Sequence, residues 1–188
     1  KTYIPNYGEF YEKRWFASGA GMEEHSFSVR VPELEGEFGP WIEMFGACPL
    51  ISCPDVPQLC IGVEICEDLW AADAPSRTLA ERGATLILNL SASNETIAKR
   101  EYRRQLVCQQ SARTLCAYVY ASAGAEESTT DLVFSGHALV AENGTLLAES
   151  ENRLETDCLL VQDIDLGRLA AERRKLKTFR DSVRLYGG

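Results

Sequence analysis

The chain has 188 residues, 45% of them hydrophobic and 25% charged, the balance of one soluble globular domain with room for a substantial core. Its 28 acids against 19 bases give a formal charge of −9, which argues against nucleic acid or an anionic membrane surface as the main partner. No run of 18 uncharged apolar residues occurs, and the opening Lys1-Thr2-Tyr3-Ile4-Pro5 lacks the charged-then-apolar layout of a signal peptide, so no membrane span is expected and a cytoplasmic location is.

The aromatic-rich opening, Lys1 to Phe16, reads as an extended segment entering a loop and a short helical turn. Between Ala17 and Pro57 periodicity is weak. Val29-Arg30-Val31 and Cys48-Pro49-Leu50-Ile51 are short strand candidates, separated by loops marked by Gly36, Gly39, Pro32 and Pro40. Leu59 to Ile65 then reads as a strand, Pro75 to Arg82 as a helix opened by proline and closed by Gly83, and Thr85 to Ser91 as a strand buried on both faces.

A long helix is expected from about Thr96 to Thr114, with Ile97, Leu106, Val107 and Ala112 inward and Lys99, Arg100, Arg103 and Arg104 outward. Ser93 or Asn94 would cap it. Ala117 to Ser122 is a further strand, and Asn143-Gly144 predicts a hairpin between Phe134–Val140 and Thr145–Glu149. Cys158 to Ile164 reads as one more strand and Leu166 to Phe179 as one helix. The basic stretch from Arg168 to Arg184 is expected to be a solvated helix face or an oligomer contact, and Trp15, Trp41 and Trp70 core or interface aromatics. The whole predicts an α/β domain with mixed sheets.

Seven cysteines, with no C-x-x-C pair and only two histidines, disfavour a disulfide framework and a zinc site; no metal is expected. The segment Gly62-Val63-Glu64-Ile65-Cys66-Glu67-Asp68-Leu69-Trp70 draws the eye to chemistry, because an apolar strand runs directly into a cysteine at a strand-to-loop junction. Such a thiol lies beside backbone N–H groups suited to an oxyanion. Spacing alone leaves Cys66 open between nucleophile and structural thiol, since a thiolate needs a nearby cation and neither His25 nor His137 is obviously placed to serve.

Lys1-Thr2-Tyr3-Ile4-Pro5-Asn6-Tyr7-Gly8-Glu9-Phe10-Tyr11-Glu12 resembles the lysine segment of the nitrilase (carbon–nitrogen hydrolase) superfamily, and Gly62 to Trp70 resembles its cysteine segment. Asn89-Leu90-Ser91-Ala92-Ser93 is similar to the strand end that follows, and Asp163-Ile164-Asp165-Leu166 to a late strand-to-helix step. Within the superfamily both long runs look most like the glutaminase domain of glutamine-dependent NAD(+) synthetases.

The resemblance spans essentially the whole chain and implies an α-β-β-α sandwich, here a single domain over residues 1–188 that is N-terminally incomplete. It implies Cys66 as the nucleophile on the side-chain amide of glutamine, and Lys1 as the ammonium that lowers the thiol pKa. With the Glu67 backbone N–H, Lys1 would stabilise the oxyanion, at about 3 to 4 kcal/mol per donor. Glu9 matches a supporting glutamate that orients Lys1 or the hydrolytic water. Tyr7, Glu67, Ser93 and Lys99 match positions that contact substrate, Glu67 being suited to its ammonium group.

The superfamily's general-base glutamate belongs ahead of Lys1, and the chain starts without an initiator methionine. A longer natural protein is therefore expected, and the 188 residues alone should turn over little or no glutamine. The domain itself calls for no cofactor. ATP and magnesium would belong to a synthetase half, whose S-G-G-x-D-S-like loop does not occur in these residues. Implied partners are glutamine, that synthetase half and further copies of the chain. Two other classes remain open: a stand-alone amidase or nitrilase on another small amide, and a non-catalytic scaffold with this fold.

Overall fold

The computed structural model describes residues 1–22, 27–30, 41–44, 49–151 and 158–186. After an extended opening and a 3-10 turn at Glu12–Arg14, the strands β1 (Phe27–Arg30) and β2 (Trp41–Met44) pair antiparallel as a small separate ribbon. Cys48, Val31, His25 and the loop glycines and prolines between 31 and 40 lie outside the described residues, and of the Trp41 side chain nothing is described.

The main sheet has six strands in simple chain order: β3 (Leu50–Ser52), β4 (Cys60–Ile65), β5 (Leu86–Ser91), β6 (Ala117–Ser122), β7 (Ala138–Glu142) and β8 (Thr145–Glu149). β4, β5 and β6 run parallel, and β3, β7 and β8 are antiparallel to their neighbours, giving the mixed sheet expected. The parallel steps need crossovers. They are supplied by α1 (Pro75–Glu81) and α2 (Lys99–Thr114).

In register, Gly62, Ile87 and Tyr118 share one face of the sheet, as do Glu64, Asn89 and Tyr120. That face carries the helices. A Cβ on Gly62 would sit 3.1 Å from both Cβ and Cδ1 of Leu79, so the absence of a side chain there lets α1 lie against β4. Leu79, Ile87, Val107, Tyr118, Tyr120 and Leu139 are fully buried in the resulting core. Each such aliphatic side chain contributes about 1.5–3 kcal/mol of burial. The opposite face holds Val63, Leu88 and Val119 half-buried, with Ile65 and Leu90 exposed.

Asn143 and Gly144 take φ of +45° and +85°, the left-handed pair that a two-residue hairpin turn between β7 and β8 requires. Several expectations are corrected. α2 starts at Lys99, not Thr96: Ala98 sits at φ +66° as its cap in place of Ser93 or Asn94, and Ile97 is fully exposed. Arg103 points inward with no exposed surface, because Glu95 and His137 receive its guanidinium there, whereas Ala112 is exposed.

The third correction concerns residues 158–165, which form no strand and pair with neither edge strand of the sheet, β3 or β8; Leu159 and Val161 stand 87% and 83% exposed. Lastly, the C-terminal helix is two, α3 (Leu166–Lys175) and α4 (Lys177–Tyr186), broken at Leu176 with ψ +95°. The break lets Phe179 reach the core under the Arg173 guanidinium, 5.1 Å from its ring. Arg173 is no solvated charge: it donates to the carbonyl oxygens of Leu115 (3.0 Å), Thr114 (3.1 Å) and Ala84. Trp70 packs on the core, but Trp15 is 80% exposed.

Candidate active site at the end of strand β4

β4 ends at Ile65, and the chain turns at once into a 3-10 turn, Cys66–Trp70. Cys66 makes the corner with φ +50°, a conformation that costs an L-residue roughly 1–2 kcal/mol and is kept only where its surroundings hold it. Two side chains do so. Asp68, 1% exposed, accepts from the Ile65 N–H at 3.0 Å, and Asn89 accepts from the Cys66 N–H at 3.1 Å.

Asp68 also brings the N-terminal segment to this corner. Its Oδ1 accepts the amides of Thr2 (3.0 Å) and Tyr3 (2.8 Å), so one carboxylate fastens the stretch after Lys1 to the turn that carries Cys66. The Tyr7 hydroxyl donates to Glu67 Oε2 at 2.8 Å across the same junction. Burial, followed by the hydrogen bond and charge of Glu67, pushes the Tyr7 phenol well above its ordinary pKa and keeps it a donor. A cavity of about 720 Å³ opens here, lined by Thr2, Tyr3, Tyr7, Lys13, Phe16 and Glu67. A cleft of about 760 Å³ lies elsewhere, at Ser122, Ser135, Glu149 and Cys158.

Lys1 is half-buried, and its ammonium meets Glu12 at 2.8 Å. Glu9, expected to orient Lys1 or the hydrolytic water, is exposed, and the carboxylate on Lys1 is that of Glu12, one turn further along at the start of the 3-10 turn Glu12–Arg14. Lys99, at the start of α2, hydrogen-bonds Asn94 and lies 5.2 Å from the Trp70 ring. Burial pushes its ammonium below the ordinary lysine value and the Arg103 charge adds to this, while Cys66, Glu95 and Glu67 pull the other way. Lys99 therefore belongs to the same neighbourhood as Cys66 and Glu67.

Ser93 is buried just beyond β5, its Oγ 3.4 Å from Arg103 Nη2. Arg103 organises this side of the site. It pairs with Glu95 at 3.1 Å and donates to His137 Nδ1 at 2.8 Å, and His137 Nε2 in turn faces Glu149 at 3.0 Å. Burial first, then the Arg100 and Arg103 charges, lower the His137 pKa to about 4, so the ring is a neutral link between two charged groups. Burial works against the Glu95 carboxylate, yet the Ser135 hydroxyl and Arg103 hold it below the usual range.

Sequence reasoning named Lys1, Tyr7, Glu9, Cys66, Glu67, Ser93 and Lys99 as candidates, and did not single out Asp68, Glu12, Asn89 and Arg103, which hydrogen-bond to these residues or to the backbone beside them. The signal for Asp68 was in the C-E-D run itself, since an acid three residues after the last strand residue can accept that residue's N–H. Cys53, Cys60, Cys66, Cys108, Cys116 and Cys158 are free thiols; burial pushes Cys116 and Cys108 above the ordinary thiol pKa, which suits structural roles. Among the described residues no cluster of three His, Cys, Asp or Glu side chains has the geometry to hold a metal ion, and no helix is long and apolar enough to cross a membrane.

Known proteins are similar to this chain over nearly its whole length. The glutamine-dependent NAD(+) synthetase of Mycobacterium leprae is 43% identical over 186 residues, covering 99% of this chain and 26% of that protein. Its human counterpart is 27% identical over 183 residues, covering 95% and 25%. The chain thus spans about a quarter of the length of these relatives. Among solved structures, a glutamine-dependent NAD(+) synthetase from Cytophaga hutchinsonii superposes with a TM-score of 0.60 at 30% identity, over 79% of this chain and 22% of that one.

A carbon-nitrogen hydrolase from Helicobacter pylori G27 shares the fold, with a TM-score of 0.66 at 20% identity over 96% of this chain and 56% of that one. The family model for carbon-nitrogen hydrolases matches residues 4–174. With the lysine and cysteine segments brought to one corner of the nitrilase fold, the chain belongs to the carbon-nitrogen hydrolase family.

Proposed function

We propose that this chain is the glutamine-hydrolysing part of a glutamine-dependent NAD(+) synthetase. The observation that carries it is the Asp68 clamp, which joins the Lys1 segment to the left-handed corner at Cys66. In this reading the Cys66 thiolate attacks the side-chain amide carbon of glutamine, and the electron pair moves onto the carbonyl oxygen. The Glu67 backbone N–H and the Lys1 ammonium stabilise that oxyanion. The Cys66 N–H is committed to Asn89, which leaves the next amide as the main-chain donor.

Collapse of the tetrahedral intermediate breaks the C–N bond, and the nitrogen takes up a proton and leaves as ammonia. Water then attacks the γ-glutamyl thioester, releasing glutamate and restoring the thiol. Glu67, already oriented by Tyr7, receives the substrate's α-ammonium. Ser93 and Lys99 line the polar side, Lys99 facing the α-carboxylate. Glu12 takes from Glu9 the task of orienting Lys1. The general base comes from a segment ahead of Lys1 in the complete protein.

The hydrolysis uses side chains and water; ATP and magnesium serve a synthetase half that receives the ammonia, through a tunnel within a homo-oligomer. A glutamine-like diazoketone applied to the full-length protein tests the reading. Modification of Cys66 that glutamine suppresses supports it, and labelling scattered over several cysteines refutes it. A stand-alone amidase would differ in ignoring glutamine and in needing no synthetase half.

A further inference from the structure

Beneath Cys66 lies a chain of buried polar groups that the proposed chemistry does not touch. The Cys66 N–H donates to Asn89 Oδ1 at 3.1 Å, and Asn89 Nδ2 donates to the Tyr118 hydroxyl at 3.1 Å. That hydroxyl donates to Glu64 Oε1, and Glu64 Oε2 accepts from the Ser76 N–H in the first turn of α1 at 2.8 Å. Glu64, Asn89 and Tyr118 are each at most 1% exposed. They come from β4, β5 and β6, on the face covered by the helices.

The direction of every bond is fixed. Glu64 accepts at both oxygens; Tyr118 must then give its only proton to Glu64 and accept from Asn89. Asn89 is thereby oriented with its NH₂ toward Tyr118 and its oxygen toward Cys66. Burial raises the Glu64 pKa against the Tyr118 and Ser76 hydrogen bonds, and burial with the Glu64 charge keeps Tyr118 protonated. A buried amide, phenol and carboxylate are costly unless each is satisfied, and a fully satisfied set holds one geometry. Its two ends are the Ser76 N–H in the first turn of α1 and the amide of Cys66, the residue at φ +50°.

We propose that Glu64, Tyr118 and Asn89 are positioning residues: a three-strand relay that holds the Cys66 main chain in its left-handed corner, with the thiol poised for attack and the Glu67 N–H left free for the oxyanion. The inference rests on Cys66 as the nucleophile. It assigns function to an acid, an amide and a phenol in strands whose pattern is otherwise that of a core. Substrate does not touch them, so their loss should slow the chemical step while leaving glutamine binding nearly intact.

Tyr118→Phe in the full-length protein keeps the ring and removes the relay's central proton. Expected is a fall in kcat for glutamine-dependent synthesis of about 10-fold or more with KM changed by less than about 3-fold. Diazoketone labelling of Cys66 should slow in parallel, with synthesis from free ammonia unchanged. Asn89→Ala, which leaves the Tyr118–Glu64–Ser76 part intact, serves as a second variant should Tyr118→Phe fail to fold, and should show the same split. Unchanged labelling and kcat in either folded variant would overturn the relay, as would equal loss of glutamine- and ammonia-dependent synthesis. Failure of glutamine to protect Cys66 in the unsubstituted protein would instead remove the nucleophile reading on which it rests.

Discussion

The Lys1 ammonium and the Glu12 carboxylate lie 2.8 Å apart in a half-buried ion pair, eleven residues from one to the other. In the proposed mechanism the Lys1 ammonium acts at the reacting centre only if held in place, and Glu12 is the carboxylate paired with it. Glu12→Gln in the full-length protein should lower glutamine-dependent synthesis by about 10- to 100-fold, the kinetic equivalent of one charge-assisted hydrogen bond. Glu9→Gln should change it by less than about 3-fold. Steady-state rates with glutamine and with ammonia check both, and the reverse ranking would return the supporting role to Glu9.

Asp68 satisfies three backbone N–H groups from a nearly fully buried position. Asp68→Asn keeps the shape but turns one acceptor into a donor facing an N–H. Destabilisation of about 2–4 kcal/mol is expected, together with loss of Cys66 labelling. Urea unfolding followed by tryptophan fluorescence measures the first; unaltered stability would show that the clamp is dispensable.

His137 is the chain's pH-sensitive link. Its folded pKa of about 4 lies below the ordinary 6.5, so between those values the unfolded chain binds the extra proton. Its contribution to stability is complete above about pH 6.5 and is lost as pH falls toward 4, at up to about 1.4 kcal/mol per pH unit. His137→Gln keeps a hydrogen-bonding side chain without that titration. Urea midpoints from pH 7 to pH 4 should therefore fall less steeply in the variant, and parallel slopes would contradict a depressed His137.

Gly144 combines φ +85° with a tight approach: a Cβ there would lie 2.9 Å from Ala112 Cβ on α2. Gly144→Ala should destabilise by about 1–3 kcal/mol, read as a lowered melting temperature. Asn143→Gly, at φ +45° with a glycine's freedom, should be near neutral by the same measurement.

The central strands were legible because an apolar run bounded by glycine, proline or Asn-Gly has few other ways to fold, and β6 and β8 match their expected bounds residue for residue. Charge misled where burial was paired. Arg103 looked like a helix surface residue because nothing local announces Glu95, His137 and Ser93 as its partners; they come from loops on either side of β6. Arg173 misled similarly, since its partners are carbonyl oxygens, which no side-chain pattern reports. The apolar run that opens Cys158–Ile164 read as a strand, but a strand also needs pairing with a neighbour, and that is a tertiary fact.

At the site, Cys66, Glu67 and Lys1 were readable from motifs, while Glu12 and Asn89 were not. Glu12 reaches Lys1 through a 3-10 turn whose exit the sequence leaves open, and Asn89 is one polar residue in an apolar strand whose orientation depends on Tyr118, 29 positions away.

The Asp68 bonds to Thr2 and Tyr3 join positions 66 and 65 residues apart. Closing so long a loop is an entropic cost met once, by (3/2)RT ln n, or about 4 kcal/mol beyond a constant. Such a contact cannot form early, because nothing local rewards it until β4 and its corner exist. The Thr2–Tyr3 stretch should therefore dock on the turn that carries Cys66 in the last stage of folding, after the parallel strands have formed. On the proposed mechanism, a chain that has built its sheet but not closed this loop would lack the Lys1 ammonium at the thiol, so reactivity of Cys66 would report completed folding rather than the mere presence of the strands.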